Sequence, residues 1–156
     1  MSVKQIAMIR EFQEEDAARC CEIINENLAS MTDYPAELRK YFQQKNTPEE
    51  LARELSSCEL AVVFEKGKSV IGLGALDGDV VKRVYVNLKE HGSGAGSAIM
   101  DTLEAHAKSL RLSKVGLGSS LGAESFYADR GYMVKKRCTV DINGMQMPSI
   151  QMEKNI

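Results

Sequence analysis

The clearest pattern along the chain is a run of β-branched positions that gives way to glycine and then to an apolar stripe at helical spacing. Val80-Val81-Lys82-Arg83-Val84-Tyr85-Val86 reads as a strand, followed by a short polar loop and then Gly92-Ser93-Gly94-Ala95-Gly96. An amphipathic helix pattern starts there and runs to about Arg111. Further upstream, Ile6 to Glu11 alternates like a short strand, and Glu14-Glu15-Asp16 places acids where a helix N-terminus favours them. Ala17, Cys20, Ile23, Ile24 and Leu28 then share one helical side. Asp33-Tyr34-Pro35 breaks the chain, and Pro35 suits the first turn of a helix reaching about Gln44. In Thr47-Pro48-Glu49-Glu50, Thr47 caps a helix, Pro48 takes its first position and Glu50 completes a capping box; the helix ends near Ser57. Leu60 to Glu65, Ser69 to Leu76 and the Val80 strand are separated by Lys66-Gly67-Lys68 and Asp77-Gly78-Asp79, which predicts an antiparallel meander. Lys114 to Ser119 is a strand and Tyr127 lies on a helix. Met133 to Asp141 and Met145 to Met152 form a hairpin about Asn143-Gly144. No repeat, low-complexity tract or linker interrupts this order, so residues 1–156 read as a single domain.

A strand, a glycine loop and a helix N-terminus make an arrangement that binds phosphate. The first helical N–H groups lack intrahelical partners, the macrodipole adds positive charge, and glycine lets the backbone approach an anion. A P-loop would need a lysine after the glycines, and none follows. Gly92-x-Gly94-x-x-Ser97 comes near a dinucleotide fingerprint, but the next strand ends in Ser119-Ser120 rather than in an acid. Too few residues follow it for a doubly wound sheet.

The frame His91-Gly92-Ser93-Gly94-Ala95-Gly96 resembles motif A of the GCN5-related N-acetyltransferases, written Arg/Gln-x-x-Gly-x-Gly/Ala. Val81 to Val86 resembles that family's fourth strand, and Ala123-Glu124-Ser125-Phe126-Tyr127-Ala128-Asp129-Arg130-Gly131-Tyr132 resembles its A-x-x-F-Y-x-x-x-G-F segment. The likeness covers roughly Leu60 to Arg137. It implies an α/β fold of the α+β type, with a mixed, mostly antiparallel central sheet flanked by helices and with strands four and five diverging. The coenzyme lies in that opening. Two departures reduce side-chain charge: His91 replaces the usual Arg or Gln, and Ser93 the usual basic residue. Leu88 also stands where a proline is common. Coenzyme binding that is retained but weaker is the expectation.

The resemblance further implies an acetyl-coenzyme A-dependent N-acetyltransferase that acts on a primary amine of a small molecule or peptide by direct transfer in a ternary complex. The backbone of Val84, Tyr85 and Val86 would bind the pantetheine arm like an added strand and polarise the thioester carbonyl. His91, Gly92, Ser93, Gly94, Ala95, Gly96 and Ser97 would serve the pyrophosphate, with Ser120 and Tyr127 completing the coenzyme site. Tyr127 matches the tyrosine that protonates the leaving thiolate, a phenol and a thiol of similar basicity. A packed helical aromatic is the plainer reading of the same residue, although Phe126 looks more like the core member of the pair. No strand-four glutamate stands near Val80, which leaves Asp79, Asp77 or Glu65 acting through water, or simply as solvated charges. His106 reads as a surface or packing residue. Ser119 and Ser120 read either as ligand contacts or as strand-end hydroxyls bonded locally. The acceptor side maps to about Asn27 to Lys45 and Cys138 to Met147. There Asp33, Tyr34 and Tyr41 would make an acidic, aromatic pocket suited to a cationic amine. The missing glutamate and the altered loop also fit a non-catalytic coenzyme A or acyl-coenzyme A sensor or scaffold of the same fold.

Composition narrows the setting. The net charge of −2 gives no sign of a general nucleic-acid binder, and no apolar run approaches a membrane span. The start, MSVKQIAMIREF, lacks a leader's apolar core. Cys20, Cys21, Cys58 and Cys138 form no Cys-x-x-Cys pair, so no metal site is expected and reduced cytoplasmic thiols are the plain reading. The expected partner is the amine substrate, with no nucleic acid and no membrane; a homodimer remains open.

Overall fold

The computed structural model describes residues 6–156, so the reading of residues 1–5 as part of a leaderless start lies outside the described residues. One mixed sheet of seven strands runs in the order β1-β2-β3-β4-β5-β7-β6. The strands are β1 (Ala7–Glu11), β2 (Leu60–Lys66), β3 (Ser69–Asp77), β4 (Val80–Val86), β5 (Lys114–Ser119), β6 (Met133–Ile142) and β7 (Met145–Asn155). The helices are α1 (Ala17–Ser30), α2 (Ala36–Lys45), α3 (Pro48–Ser56), α4 (Ala95–Ser109) and α5 (Glu124–Asp129). Every strand pairing is antiparallel except β4 with β5.

The expected elements are present, with local corrections. The glutamate half of the capping box is missing: Thr47 Oγ1 accepts from the Glu50 N–H at 3.3 Å, but the Glu50 carboxylate pairs with Arg53 at 2.6 Å. Arg53 sits one helical turn away and outcompetes the cap backbone. The last hairpin turns at Asn143 and Gly144, both at positive φ (51° and 83°), which is the conformation that selects Asn-Gly in two-residue turns.

Two cores lie on opposite faces of the sheet. On one, α4 lays Ile99, Met100, Leu103 and Ala107 against Val62, Leu76 and Val81 on one side and Val115, Leu117, Ile150 and Met152 on the other. On the other face, Cys20, Ile23 and Ile24 of α1 and Leu51 and Leu55 of α3 cover Val63, Val70, Leu73 and Ala75 of β2 and β3. Cys20 and Cys21 are therefore core groups, and burial pushes the Cys20 thiol up to about 12.

α4 approaches β3 closely because Gly72 and Gly74 present no side chain there. A Cβ at Gly74 would stand 2.5 Å from Ile99 Cγ2, a stiff β-branched atom that cannot swing away. Gly74→Ala should therefore destabilise the protein by about 1–3 kcal/mol through overpacking. Urea unfolding would register this as a lower midpoint at unchanged slope.

Candidate functional site

The site begins where the sheet forks. β4 and β5 pair only at Val80↔Gly116 and Val81↔Leu117, so Lys82 to Val86 keep β3 on one edge and no strand on the other. Within that free stretch the β3–β4 register slips, and Arg83 takes a left-handed φ of 59°. Such a bulge inserts one residue, leaves it without a ladder partner and bends the strand. It also shifts the side-chain alternation. Val81, Val84 and Val86 all face the α4 core, while Tyr85 packs towards the α1 core. A non-glycine residue held left-handed costs about 1–2 kcal/mol. Arg83 is anchored there by a two-point ion pair with Glu54 of α3, Nε to Oε2 at 2.7 Å and Nη2 to Oε1 at 3.1 Å. The same guanidinium holds the Glu54 carboxyl below its ordinary range.

The end of β4 is fixed by two donors. Asn27 of α1 gives Nδ2–H to the Val86 carbonyl at 2.9 Å while also bonding the Ile23 carbonyl at 2.8 Å. His91 Nε2 lies 2.9 Å from the same Val86 oxygen, which makes it the donating nitrogen there. His91 thus spends this nitrogen on the strand end, which corrects the expectation that its ring chiefly assists a pyrophosphate. Gly92 and Gly94 take φ of 83° and 93°, and the first intrahelical bond of α4 runs from the Ala98 N–H to the Gly94 carbonyl at 3.0 Å. No side chain caps this helix. The N–H groups of Ala95, Gly96 and Ser97 are therefore left to a ligand or to water. No atom lies within 4 Å of where a Cβ would stand at Gly92 or Gly94, so the approach to these amides is clear. That is the fit a pyrophosphate needs.

Fork and loop open into one cleft of about 760 Å³. It is lined by Val84, Tyr85, Val86, His91, Gly92, Gly94, Ala95, Gly96, Ser97, Ser120 and Tyr127, all of them residues expected from the sequence. Ser93 is the exception: it is exposed, its N–H bonds back to the Glu90 carbonyl at 3.1 Å, and it does not line the cleft. Ser119 and Ser120 part company. Ser119 is buried and gives its hydroxyl to the Ser120 carbonyl at 2.7 Å, whereas Ser120 lines the cleft.

Tyr127 is 8 % exposed and belongs to the α4 core, so it, rather than Phe126, is the more buried of the pair. Phe126 is half-buried against Gly96, and its ring stands edge-on to Tyr127 at 5.1 Å. Both line the cleft because α5 is short and lies across its mouth. Burial pushes the Tyr127 phenol above its ordinary value, Tyr85 adds to the shift and Arg130 opposes it. A match in basicity to a free thiolate is therefore not what the cleft provides. It provides a phenol that keeps its proton across the physiological range.

The base candidates are elsewhere. Asp77 pairs with Lys82 at 2.8 Å, Glu65 pairs with Arg10 at 2.8 Å, and neither these nor Asp79 lines the cleft. Asp77 and Asp79 flank the tight turn at the far end of β4, which points them away from the fork. Among the described residues, the carboxylates lining the cleft are Asp33, between α1 and α2, and Glu90, which pairs with Lys66 at 3.4 Å.

A second chamber of about 330 Å³ adjoins the first, sharing Met31, Tyr34, Arg83, Tyr85, Gly118 and Ser120 with it. It reaches Leu28, Phe42, Lys45 and Asn46 on the helical side and Met147, Pro148 and Ser149 on β7. Of the expected acceptor residues, Asp33 and Tyr34 line the cleft system. Tyr41 does not: its ring packs edge-on to Phe42 and under the Lys45 ammonium. On the hairpin, Met147 is joined by Pro148 and Ser149 rather than by residues nearer Cys138, because the turn projects past the chamber.

A sheet forked beside a glycine-led helix, with a buried tyrosine across the gap, defines the class of acyl-coenzyme A-dependent transferase folds. The chain belongs to the GCN5-related family within it, since the acetyltransferase (GNAT) domain model matches residues 25–155. A crystal structure of a GCN5-related N-acetyltransferase from Rhodopseudomonas palustris is 26% identical, with a TM-score of 0.90 covering 100% of this chain and 99% of that one. PaiA N-acetyltransferase from Thermoplasma acidophilum, solved with coenzyme A, is 19% identical with a TM-score of 0.77, covering 97% and 99%. YncA from Salmonella typhimurium, solved with acetyl-coenzyme A, is 20% identical with a TM-score of 0.65, covering 96% and 93%. The last two likenesses are of fold. No curated protein matches the sequence.

Proposed function

We propose that the chain, as a single domain spanning residues 1–156, moves an acetyl group from acetyl-coenzyme A to a primary amine. The carrying observation is the open edge of β4 from Lys82 to Val86, facing a cleft that has uncapped α4 amides at one end and Tyr127 on its wall. The free edge of Val84 to Val86 supports the pantetheine arm as a strand would, and the glycine loop supports the pyrophosphate through the uncapped N–H groups of Ala95, Gly96 and Ser97. The amine nitrogen attacks the thioester carbonyl carbon while β4 backbone N–H groups stabilise the oxyanion. The carbon–sulfur bond then breaks, Tyr127 gives its proton to the departing thiolate, and the amine's surplus proton leaves to water. The phenolate recovers a proton from solvent. The proposed enzyme is cytoplasmic and acts on small amines or peptides; no helix among the described residues is long and apolar enough to cross a membrane.

A second reading is favoured by one observation: none of the three expected bases lines the cleft, as would hold in a coenzyme A-binding sensor or scaffold of this fold. Thiol release from acetyl-coenzyme A across a panel of amines separates the two. Release with any amine supports the enzyme; binding without release across the panel supports the sensor.

Both readings require the ligand. Acetyl-coenzyme A at about a hundred times its dissociation constant should stabilise the fold by about 2.7 kcal/mol, or roughly 5–10 °C in Tm. A flat melting temperature at millimolar ligand would remove the cofactor assignment.

A further inference from the structure

The second chamber carries charge of one sign. Lys45 and Arg83 line it, and among the described residues no carboxylate does. Asp33, the acid expected on the acceptor side, lines the larger cleft instead. Glu54 binds Arg83 through Nε and Nη2, leaving Nη1 without a protein acceptor among the described residues. A guanidinium held along one edge still presents a second edge of parallel N–H groups, which is the geometry that takes a carboxylate at two points. Lys45 makes no ion pair among the described residues; its ammonium sits over the Tyr41 ring at 5.5 Å. The Ser120 and Ser149 hydroxyls also line the chamber without a protein acceptor among those residues. The rest of the wall is mostly apolar, with Leu28, Met31, Phe42, Met147, Pro148 and the Tyr34 and Tyr85 rings, and carries two further polar residues, Asn46 and Ser119. A polycation would meet two like charges and no carboxylate here, whereas an anion beside an apolar body would find partners for both parts.

Resting on the acetyltransferase reading, we propose that the acceptor is a small amine bearing a carboxylate and an apolar side chain, with Arg83 and Lys45 as its specificity determinants. The carboxylate is bound in the second chamber, and the amine is directed through the shared opening at Tyr34 and Tyr85 towards the fork. The chamber's volume of about 330 Å³ suits a single amino-acid-sized molecule.

The test uses matched amines that differ only at the anion: methionine, methioninamide and 3-(methylthio)propylamine, with phenylalanine and phenylalaninamide as a second set and spermidine as the polycation. Thiol release from acetyl-coenzyme A should give the acids a kcat/KM about 10- to 100-fold above the partners that lack the carboxylate, the range for one charge-assisted contact. The exposed Lys45→Glu should raise KM for the acid and leave KM for the amide unchanged, whereas Arg83→Gln, which also frees the β4 bulge, should lower the acid-over-amide ratio of kcat/KM whatever it does to both. Lys45→Glu keeps the test open should Arg83→Gln fold poorly. Equal or better use of the amides or of spermidine would overturn the inference while leaving acetyl transfer intact. If no amine releases thiol, the acetyltransferase reading fails, and calorimetry on the coenzyme A-saturated protein decides the inference instead. Tighter binding of the acids supports it; equal binding overturns it.

Discussion

Replacing Tyr127 by phenylalanine is expected to lower kcat by about 10²–10⁴, the usual contribution of a positioned general acid. Coenzyme affinity should change far less. The ring that packs against Phe126 and Tyr132 is retained, at centroid distances of 5.1 and 5.8 Å, and only the hydroxyl is lost. Among the described residues that hydroxyl has no protein partner, so its removal leaves no stranded acceptor and the fold should hold. Steady-state kinetics with a competent amine, alongside calorimetry with acetyl-coenzyme A, makes the check. Unchanged turnover would reduce Tyr127 to a packing residue. Rate and affinity falling together would make it a coenzyme contact instead of an acid. The pH profile adds a signature: because burial raises the phenol, the alkaline limb, on which Tyr127 loses its proton, should lie above the ordinary tyrosine range.

The second large effect is expected at Gly94. Gly94→Glu puts a carboxylate in front of the α4 amides, at a position where nothing now lies within 4 Å of a Cβ. Repulsion from an anionic ligand and direct obstruction both act, so affinity for coenzyme A should fall by at least about 100-fold. The backbone adds a separate cost. At φ 93° any L-residue is strained, by about 1–2 kcal/mol, and the variant should melt lower for that reason alone. Gly94→Ala isolates this strain: it should lose the same stability yet keep most of its affinity. Calorimetry on the pair separates charge from conformation. Normal binding by Gly94→Glu would put the pyrophosphate elsewhere.

How far the sequence carried depended on whether an interaction was local. The glycine loop, the α4 stripe, the Asn143-Gly144 turn and the Phe126-Tyr127 pair are all written within a few residues, and the helix, hairpin and cleft they imply are present. The bulge was also legible, though unread. Val81, Val84 and Val86 share a face only if the alternation slips by one between the first two, and Arg83 is the residue that slips. What no local pattern reveals is which distant group meets which. Asn27 reaches the Val86 carbonyl across 59 positions, and Glu54 meets Arg83 across 29. The bases failed for the same reason: Asp77 and Asp79 are near β4 in sequence, but the hairpin turns them to its far end. The second chamber was not legible because Lys45 and Arg83 come from different elements and converge only in three dimensions.

The two residue pairs joining β4 to β5 bear on how the molecule yields. Backbone bonding divides the sheet into two blocks, β1 to β4 and β5-β7-β6, stitched at a single short seam. On one face α4 acts as a splint, with Ile99, Met100 and Leu103 packed on both blocks. On the other face α1 and α3 grip only the first block. The seam is therefore hinged on the α4 side and compliant on the α1 side, where the second chamber lies. A thioester ligand laid along β4 would add rungs to an unfinished ladder, so that the act of binding also stiffens the sheet against the direction in which it most easily opens.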